Sequence, residues 1–372
     1  MNTLLADSGN LLVDGGSLSD LDEKGVQQQK LKAGLIAASY ARMGYDAVNV
    51  GPYDLALGVG FLKSLEKTYR IRFISTNLVD AKGRFLFQPY VLKSVGHTRV
   101  AIFGIADRMS VPHSASAYAI DPLESIMRAV TQVKGKADFL VALTEQESAQ
   151  DRRLAEAFPD LNLVLRGKSS DYPRDPIMVG KTSIFEIGNR GQRVGRITVA
   201  RGETGIPRWE VAEMDKAVRE DPGIRAMIAE YNGEVVRLFK LGRAQTETLK
   251  AEMCSKCHQP EYVQWQKTAH AKAYTSLVQI SREFDPECLR CHTTRFNAPG
   301  GFSMRDQQAG LRNVQCDACH GRANGHLKNP KQEKPAKPDM STCVTCHTPQ
   351  QSPAFAEKYR EYLERVRCRS HG

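Results

Sequence analysis

No run of about 18 apolar residues occurs anywhere in the 372-residue chain, which excludes a membrane-spanning helix. The opening is equally poor in what an export signal requires. Asp7 and Asp14 interrupt the first fifteen residues, where a basic start and a clean apolar stretch would stand. Cysteine is absent from residues 1–250, and histidine occurs there only at His97 and His113. What is present is a globular composition, 41% hydrophobic and 25% charged, which can bury a large core and is too apolar for disorder as the main state.

The net charge of +10 is unevenly spread: residues 1–250 carry 34 basic and 30 acidic side chains, residues 251–372 carry 18 and 12. All nine cysteines and seven of nine histidines fall in the second stretch, which sets a domain boundary near 245–252. The chain therefore reads as one domain over 1–205, a helical connection over 206–250 and a second domain over 251–372.

Cys254, Cys257 and His258 form Cys-x-x-Cys-His. The pattern returns at Cys288/Cys291/His292, Cys316/Cys319/His320 and Cys343/Cys346/His347. This is the c-type haem attachment signature: two thiols add to the two vinyl groups of one porphyrin, and the adjacent imidazole reaches its iron. Nine cysteines and nine histidines shuffled over this length would give on the order of 0.005 such pentapeptides, so four are not chance. Zinc ribbons also use Cys-x-x-Cys, but they do not require a histidine after every second cysteine, and two cysteines three apart rarely bridge each other. Four c-type haems follow, with His258, His292, His320 and His347 as proximal iron ligands.

His270, His326 and His371 remain as candidate distal ligands, His270 on a helix after the first motif and His326 in a Gly-containing loop. His97 and His113 read as surface residues of the first domain. Three spare histidines for four irons leave one haem without an internal partner. The second haem is the expected odd one, because no histidine lies between His292 and Cys316; it could be open, take Met304 or receive a ligand from elsewhere. Cys368 belongs to no motif and reads as a free thiol. The Pro- and Lys-rich stretch 328–339 reads as an exposed loop suited to an acidic redox partner or simply to solvent.

These motifs, with Trp265, the Thr268-Ala269-His270-Ala271 segment, Val314 to Gly321 with His326 behind it, and the tail Ser352-Pro353-Ala354-Phe355, Tyr359 and His371, resemble the tetrahaem cytochromes of the c-554 type. The resemblance covers residues 250–372. It implies a mainly helical, haem-cored domain with closely stacked haem pairs, mostly with two histidine ligands, and a closing helix.

In the first 200 residues apolar runs alternate with helical patterns. Strands are expected near 3–6, 47–50, 71–75, 138–143 and 161–166, helices near 24–43, 54–67, 122–134 and 146–158, a hairpin about Gly96-His97, and a β-rich stretch over 177–200. That is an α/β layered domain. Leu4 to Asn10, Met43 to Asp54, Leu143-Thr144-Glu145 and Leu165 to Ser170 resemble the metallophosphoesterase domain of the 5'-nucleotidase family. The resemblance implies a two-metal site, yet Asn10, Pro52, Tyr53, Glu145, Lys168 and Ser170 stand where metal ligands would. The scaffold is therefore expected without phosphoesterase chemistry. Glu145 reads as an exposed residue at a helix start.

The function expected is electron transfer through four haems in the periplasm or at the cell surface, with redox proteins or copies of the chain as partners. Reduction of a small nitrogen species at a five-coordinate haem and assembly into a cytochrome filament are the alternatives. Covalent haem is attached outside the cytoplasm in bacteria, so an export signal is expected upstream of this sequence. The positive charge of 251–372 balances haem propionates, and nucleic acid is not needed as a partner.

Overall fold

The computed structural model describes residues 3–13, 18, 21, 23–111, 116–168, 174–188, 191–199, 206–215, 217–239, 249–280, 282–283, 285–296, 298, 300–302, 309–349 and 351–368. His113, Ser170, Met304 and His371 lie outside these. The chain divides into two compact units, Met1–Tyr231 and Asn232–Gly372. Among the described residues no helix is long and apolar enough to cross a membrane.

The first unit contains β1 (Ala6–Asp7), α1 (Glu23–Met43), β2 (Ala47–Asn49), α2 (Val59–Tyr69), β3 (Phe73–Ile74), β4 (Leu78–Val79), β5 (Tyr90–Val95), β6 (Thr98–Ile105), β7 (Tyr118–Ala119), α3 (Pro122–Val133), β8 (Phe139–Thr144), α4 (Ser148–Ala157), β9 (Leu163–Arg166), β10 (Arg174–Val179), β11 (Thr182–Glu186), β12 (Arg193–Thr198) and β13 (Arg208–Glu213). The parallel sheet β1-β2-β3 faces a six-stranded sheet ordered β10-β11-β9-β8-β6-β5, whose four inner strands are parallel and whose outer two pair antiparallel. Ala47 and Ile74 of the small sheet pack against Ile102, Val141, Leu143 and Phe185 of the large one. Outside these, α1 and α2 bury Ala33, Ala37, Leu62 and Leu65 on one face, while α3 and α4 bury Ile126, Ala129, Val133, Leu154 and Ala155 on the other. The expected α/β layering is thus a four-layer sandwich, helices outside and two sheets within.

The sheets approach closely at Gly104 of β6, where a Cβ would come within 2.5 Å of the Asn49 Oδ1. Asn49 spans the gap, its Nδ2 donating to the carbonyls of Ser8 at 2.8 Å and Ile105 at 3.0 Å.

The helix expected near 54–67 is broken: a 3-10 turn at Asp54–Leu57 precedes α2 because Gly58, at φ 83°, lies in the left-handed region between them. The two-residue strands β4 and β7 escaped the sequence reading, being too short to show a period. The stretch expected to be helical from 206 opens instead with β13, which pairs antiparallel with β12 and sets Trp209 against Phe185. Helix α5 (Pro222–Phe239) follows, and the division between units falls within it.

In the second unit come α6 (Ala251–Cys254), α7 (Gln259–Gln266), α8 (Ala273–Gln279), α9 (Pro286–His292), α10 (Cys316–His320), α11 (Asn324–Lys328), α12 (Met340–Val344) and α13 (Tyr359–Val366). This unit is mainly helical, as expected, but every helix after α5 is short. Its buried apolar residues are few: among those described, Val235, Leu249, Ala251, Tyr274, Leu277, Leu289, Phe302, Leu311 and Phe355. The three clusters of contiguous buried apolar side chains all lie in the first unit.

At the end of β9 in the first unit, Arg166 bridges the buried carboxylate of Asp151 and the half-buried one of Glu186, its Nε 2.7 Å from the first and a terminal nitrogen 2.7 Å from the second. Replacing Arg166 by Leu leaves Asp151, fully buried, without its cation, and should cost the first unit about 3–5 kcal/mol in urea unfolding followed by circular dichroism. A loss below about 1 kcal/mol would contradict the packing described.

Candidate functional site

Each Cys-x-x-Cys-His motif is one helical turn. His258 N–H donates to the Cys254 carbonyl at 2.9 Å, His347 does the same to Cys343 at 2.9 Å, and the second and third motifs lie on α9 and α10. Spacings of three and four residues on a helix set both thiols and the imidazole on one side. Asp285 and Asp339 start two of these turns by accepting the backbone N–H of Glu287 and Thr342.

A hub at 310–315 ties the motifs together. Gln315 accepts the Ala251 N–H at 2.7 Å beside the first motif and donates to the carbonyls of Gly310 and Arg312. Thr294, two residues past His292, donates to the Asn313 carbonyl and accepts the Gln315 N–H. Trp265 Nε1 donates to the Val314 carbonyl, and Val314 N–H to that of His270. Asn313 accepts the Tyr274 N–H from a left-handed conformation, φ 74°, that asparagine tolerates better than most residues.

The thiols of Cys254 and Cys316 are coupled electrostatically, as are those of Cys291 and Cys346, the partner thiol lowering the pKa of Cys254 and of Cys346. The first motif therefore lies beside the third, and the second beside the fourth.

The histidine rings are oriented as metal ligands need. Nδ1 of His292 donates to the Ala273 carbonyl at 2.7 Å, that of His320 to Ala336 at 2.9 Å and that of His326 to Glu333 at 2.7 Å, leaving each Nε2 free to coordinate. His347 is hydrogen-bonded through Nδ1 to Ser352 at 3.0 Å and stacks on Phe355 at 4.4 Å. Burial lowers the pKa of both His270 and His347, favouring the neutral, coordinating form. Two pairs of rings lie close together, tilted to one another: His258 and His326 with centres 6.0 Å apart, His270 and His347 with centres 6.1 Å apart. An iron bonded to two imidazoles at about 2 Å puts their ring centres about 6 Å apart. The donor set fits haem.

His270 opens a 3-10 turn rather than a helix, and His326 lies on α11 rather than in a loop. His97 is an exposed turn residue. The stretch 328–339 is an exposed loop, and α13 is the closing helix.

In the first unit, the positions that resemble a two-metal site carry groups satisfied among themselves. Asn10 Nδ2 donates to Glu145 Oε2 at 2.6 Å while its Oδ1 accepts the Tyr53 N–H at 2.9 Å. Lys168 Nζ pairs with Glu147 at 2.5 Å and Asp107 at 3.6 Å. Cβ atoms at Gly51 and Gly167 would lie 2.2 Å from Asn10 Oδ1 and 1.8 Å from Glu145 Oε1, so these two side chains fill the space above the glycines. Glu145 is not the exposed helix-start residue expected. It is 3% exposed, and Glu147 starts α4 instead. Among the described residues no three His, Cys, Asp or Glu side chains converge as a metal site, and an ammonium and an amide at ligand positions do not suit one. Sequence reasoning missed Asp54, buried and accepting the N–H groups of Leu12 and Gly51, and Asp7, held by Tyr40; the run Gly51-Pro52-Tyr53-Asp54 was the available signal.

Residues 253–321 match the family model described as cytochrome c554 and c-prime. The chain is 32% identical over 83 residues to cytochrome c-554 of Nitrosomonas europaea, a stretch that is 18% of this chain and 35% of that protein. Among solved structures it is similar to a sulfate thiohydrolase of Thermus thermophilus in complex with glycerol (22% identity, TM-score 0.53, 62% of this chain and 42% of that one). It is also similar to a 5'-nucleotidase precursor of the same organism (22% identity, TM-score 0.50, 66% and 52%). The chain spans between a third and about half the length of these proteins, and the likeness to the two structures shows the fold alone.

Burial, reinforced by the carboxylates of Asp54 and Asp7, raises the Glu145 pKa from 4.5 to about 9, against the opposing Asn10 hydrogen bond and Lys168 charge. The folded unit then holds a proton that the unfolded chain releases, so stability falls as pH rises from about 4.5 to about 9. Glu145→Gln should flatten that decline in thermal melts at pH 5, 7 and 9; an unchanged slope would show that another group carries it. Together these observations place a cytochrome c554 domain, with its c-type haem iron, in the C-terminal region and a metallophosphoesterase-like sandwich at the N-terminus.

Proposed function

We propose that this protein is a multihaem electron carrier of the periplasm or cell surface, holding four c-type haems on Cys254/Cys257, Cys288/Cys291, Cys316/Cys319 and Cys343/Cys346. The observation that carries the reading is the two pairs of imidazoles with ring centres 6.0 and 6.1 Å apart, the spacing that one iron between two imidazoles requires. In this reading His326 is the distal ligand opposite His258, and His270 the one opposite His347. His371 is the third distal ligand, and His292 and His320 are proximal. When bound, haem supplies an iron that cycles between two oxidation states one electron at a time. The chain's part is to fix the ligands, through the carbonyls of Ala273, Glu333 and Ala336, and to hold motif beside motif through the hub at 310–315. The paired thiols support an order of first, third, fourth and second haem, because Cys319 lies within electrostatic reach of Cys343 and Cys346.

The sandwich serves in this reading as a docking or assembly platform without phosphoesterase chemistry. Reduction of a small nitrogen species is the second reading. It rests on the sequence, where no histidine lies between His292 and Cys316.

Pyridine haemochrome assay of the exported holo-protein should give four haems per chain, and Cys343→Ala with Cys346→Ala should give three. In low-temperature electron paramagnetic resonance, His326→Gly should convert one low-spin ferric haem to high spin, and His97→Gly none. An unchanged low-spin count in His326→Gly would sink the ligand assignment.

A further inference from the structure

The loop 328–339 does two things at once. Its backbone reaches inward: the Glu333 carbonyl accepts from Nδ1 of His326 and the Ala336 carbonyl from Nδ1 of His320, while Ala336 N–H donates back to the His320 carbonyl at 3.1 Å. Its side chains reach outward: Lys328, Lys331, Lys334 and Lys337 are all exposed, and among the described residues no ion pair engages them. The two acidic residues of the stretch are turned to other work. The Glu333 carboxylate lies against Gly325, where a Cβ would come within 1.6 Å of it, and Asp339 caps α12. Pro330, Pro335 and Pro338 restrict the backbone, so the lysines are held on a stiff support.

Resting on the electron-carrier reading, we propose that this loop is the electron-exchange port of the haem unit, docking an acidic redox protein directly over the ligands His326 and His320. An exposed cationic face steers an acidic partner and raises its association rate. Tunnelling falls steeply with distance, so a docking face matters most where its own backbone touches iron ligands. One electron leaves the partner's reduced centre and arrives at ferric haem iron, with no bond made or broken. Nucleic acid fits this face poorly, because residues 328–339 contain no aromatic ring on which a base could stack.

The test uses the holo-protein and, as probe, a reduced plant-type [2Fe–2S] ferredoxin, an acidic one-electron donor. Stopped-flow reduction of the haems is compared for the wild type, for Lys331→Glu/Lys334→Glu/Lys337→Glu and for a charge-matched control, Lys67→Glu/Lys134→Glu/Lys136→Glu, all exposed. The loop variant should react at least tenfold more slowly at low ionic strength and lose most of its salt dependence, while the control changes less than twofold. Haem absorption spectra and reduction by dithionite should be the same in all three, which separates docking from misfolding. Equal slowing in loop variant and control, or no slowing in either, overturns the port and leaves the carrier reading standing. Haems that neither dithionite nor ferredoxin reduces would overturn both.

Discussion

Helices of four to eight residues do not persist in water on their own, because the cost of nucleating each turn is recovered only over longer runs or through packing. The second unit builds its attachment motifs from such pieces: α6 has four residues, α9 seven, and α10 and α12 five each. Among the described residues, the contiguous clusters of buried apolar side chains lie in the first unit and not in this one. Everything else in this unit depends on that shortfall. In the electron-carrier reading the apolar mass comes from porphyrins bonded to the cysteines, each joined at two points and ligated at a third, which fixes one helical turn outright. The polypeptide then acts as a binding around its cofactor.

Under that constraint the polar network has a plain task. Gln315, Thr294 and Asn313 hold three motifs in register through backbone hydrogen bonds that do not need a hydrophobic interior. The same economy appears at the imidazoles, where three backbone carbonyls fix ring orientation and tautomer together. The N-terminal unit is built the opposite way, with two sheets and four helices packed on three apolar clusters.

Most of the N-terminal sandwich could be read from hydrophobic period alone, since α1, α3, β6 and β8 each run long enough to show one. The two-residue strands β4 and β7 could not, and the turn at Gly58 was hidden because an apolar stripe continues through it. In the second unit the four Cys-x-x-Cys-His motifs were legible because each is local in sequence. Which histidines meet was not, because His258 and His326 are brought together by tertiary contacts over a separation of 68 residues that no local pattern encodes. Glu145 was misjudged for a related reason: its burial follows from Asn10 and Gly167, both distant in sequence.

The pairing of Asn10 with Glu145, and of Lys168 with Glu147 and Asp107, also governs how this scaffold can change. An aspartate at position 10 would face Glu145 with no hydrogen to donate where the amide now sits 2.6 Å away. A neutral histidine at 168 would leave Glu147 and Asp107 without their ammonium. Neither position can change without disturbing a partner distant in sequence, so the cluster behaves as a lock: substitutions on the outer faces of the helices meet little resistance, while those at the cluster must come in matched sets.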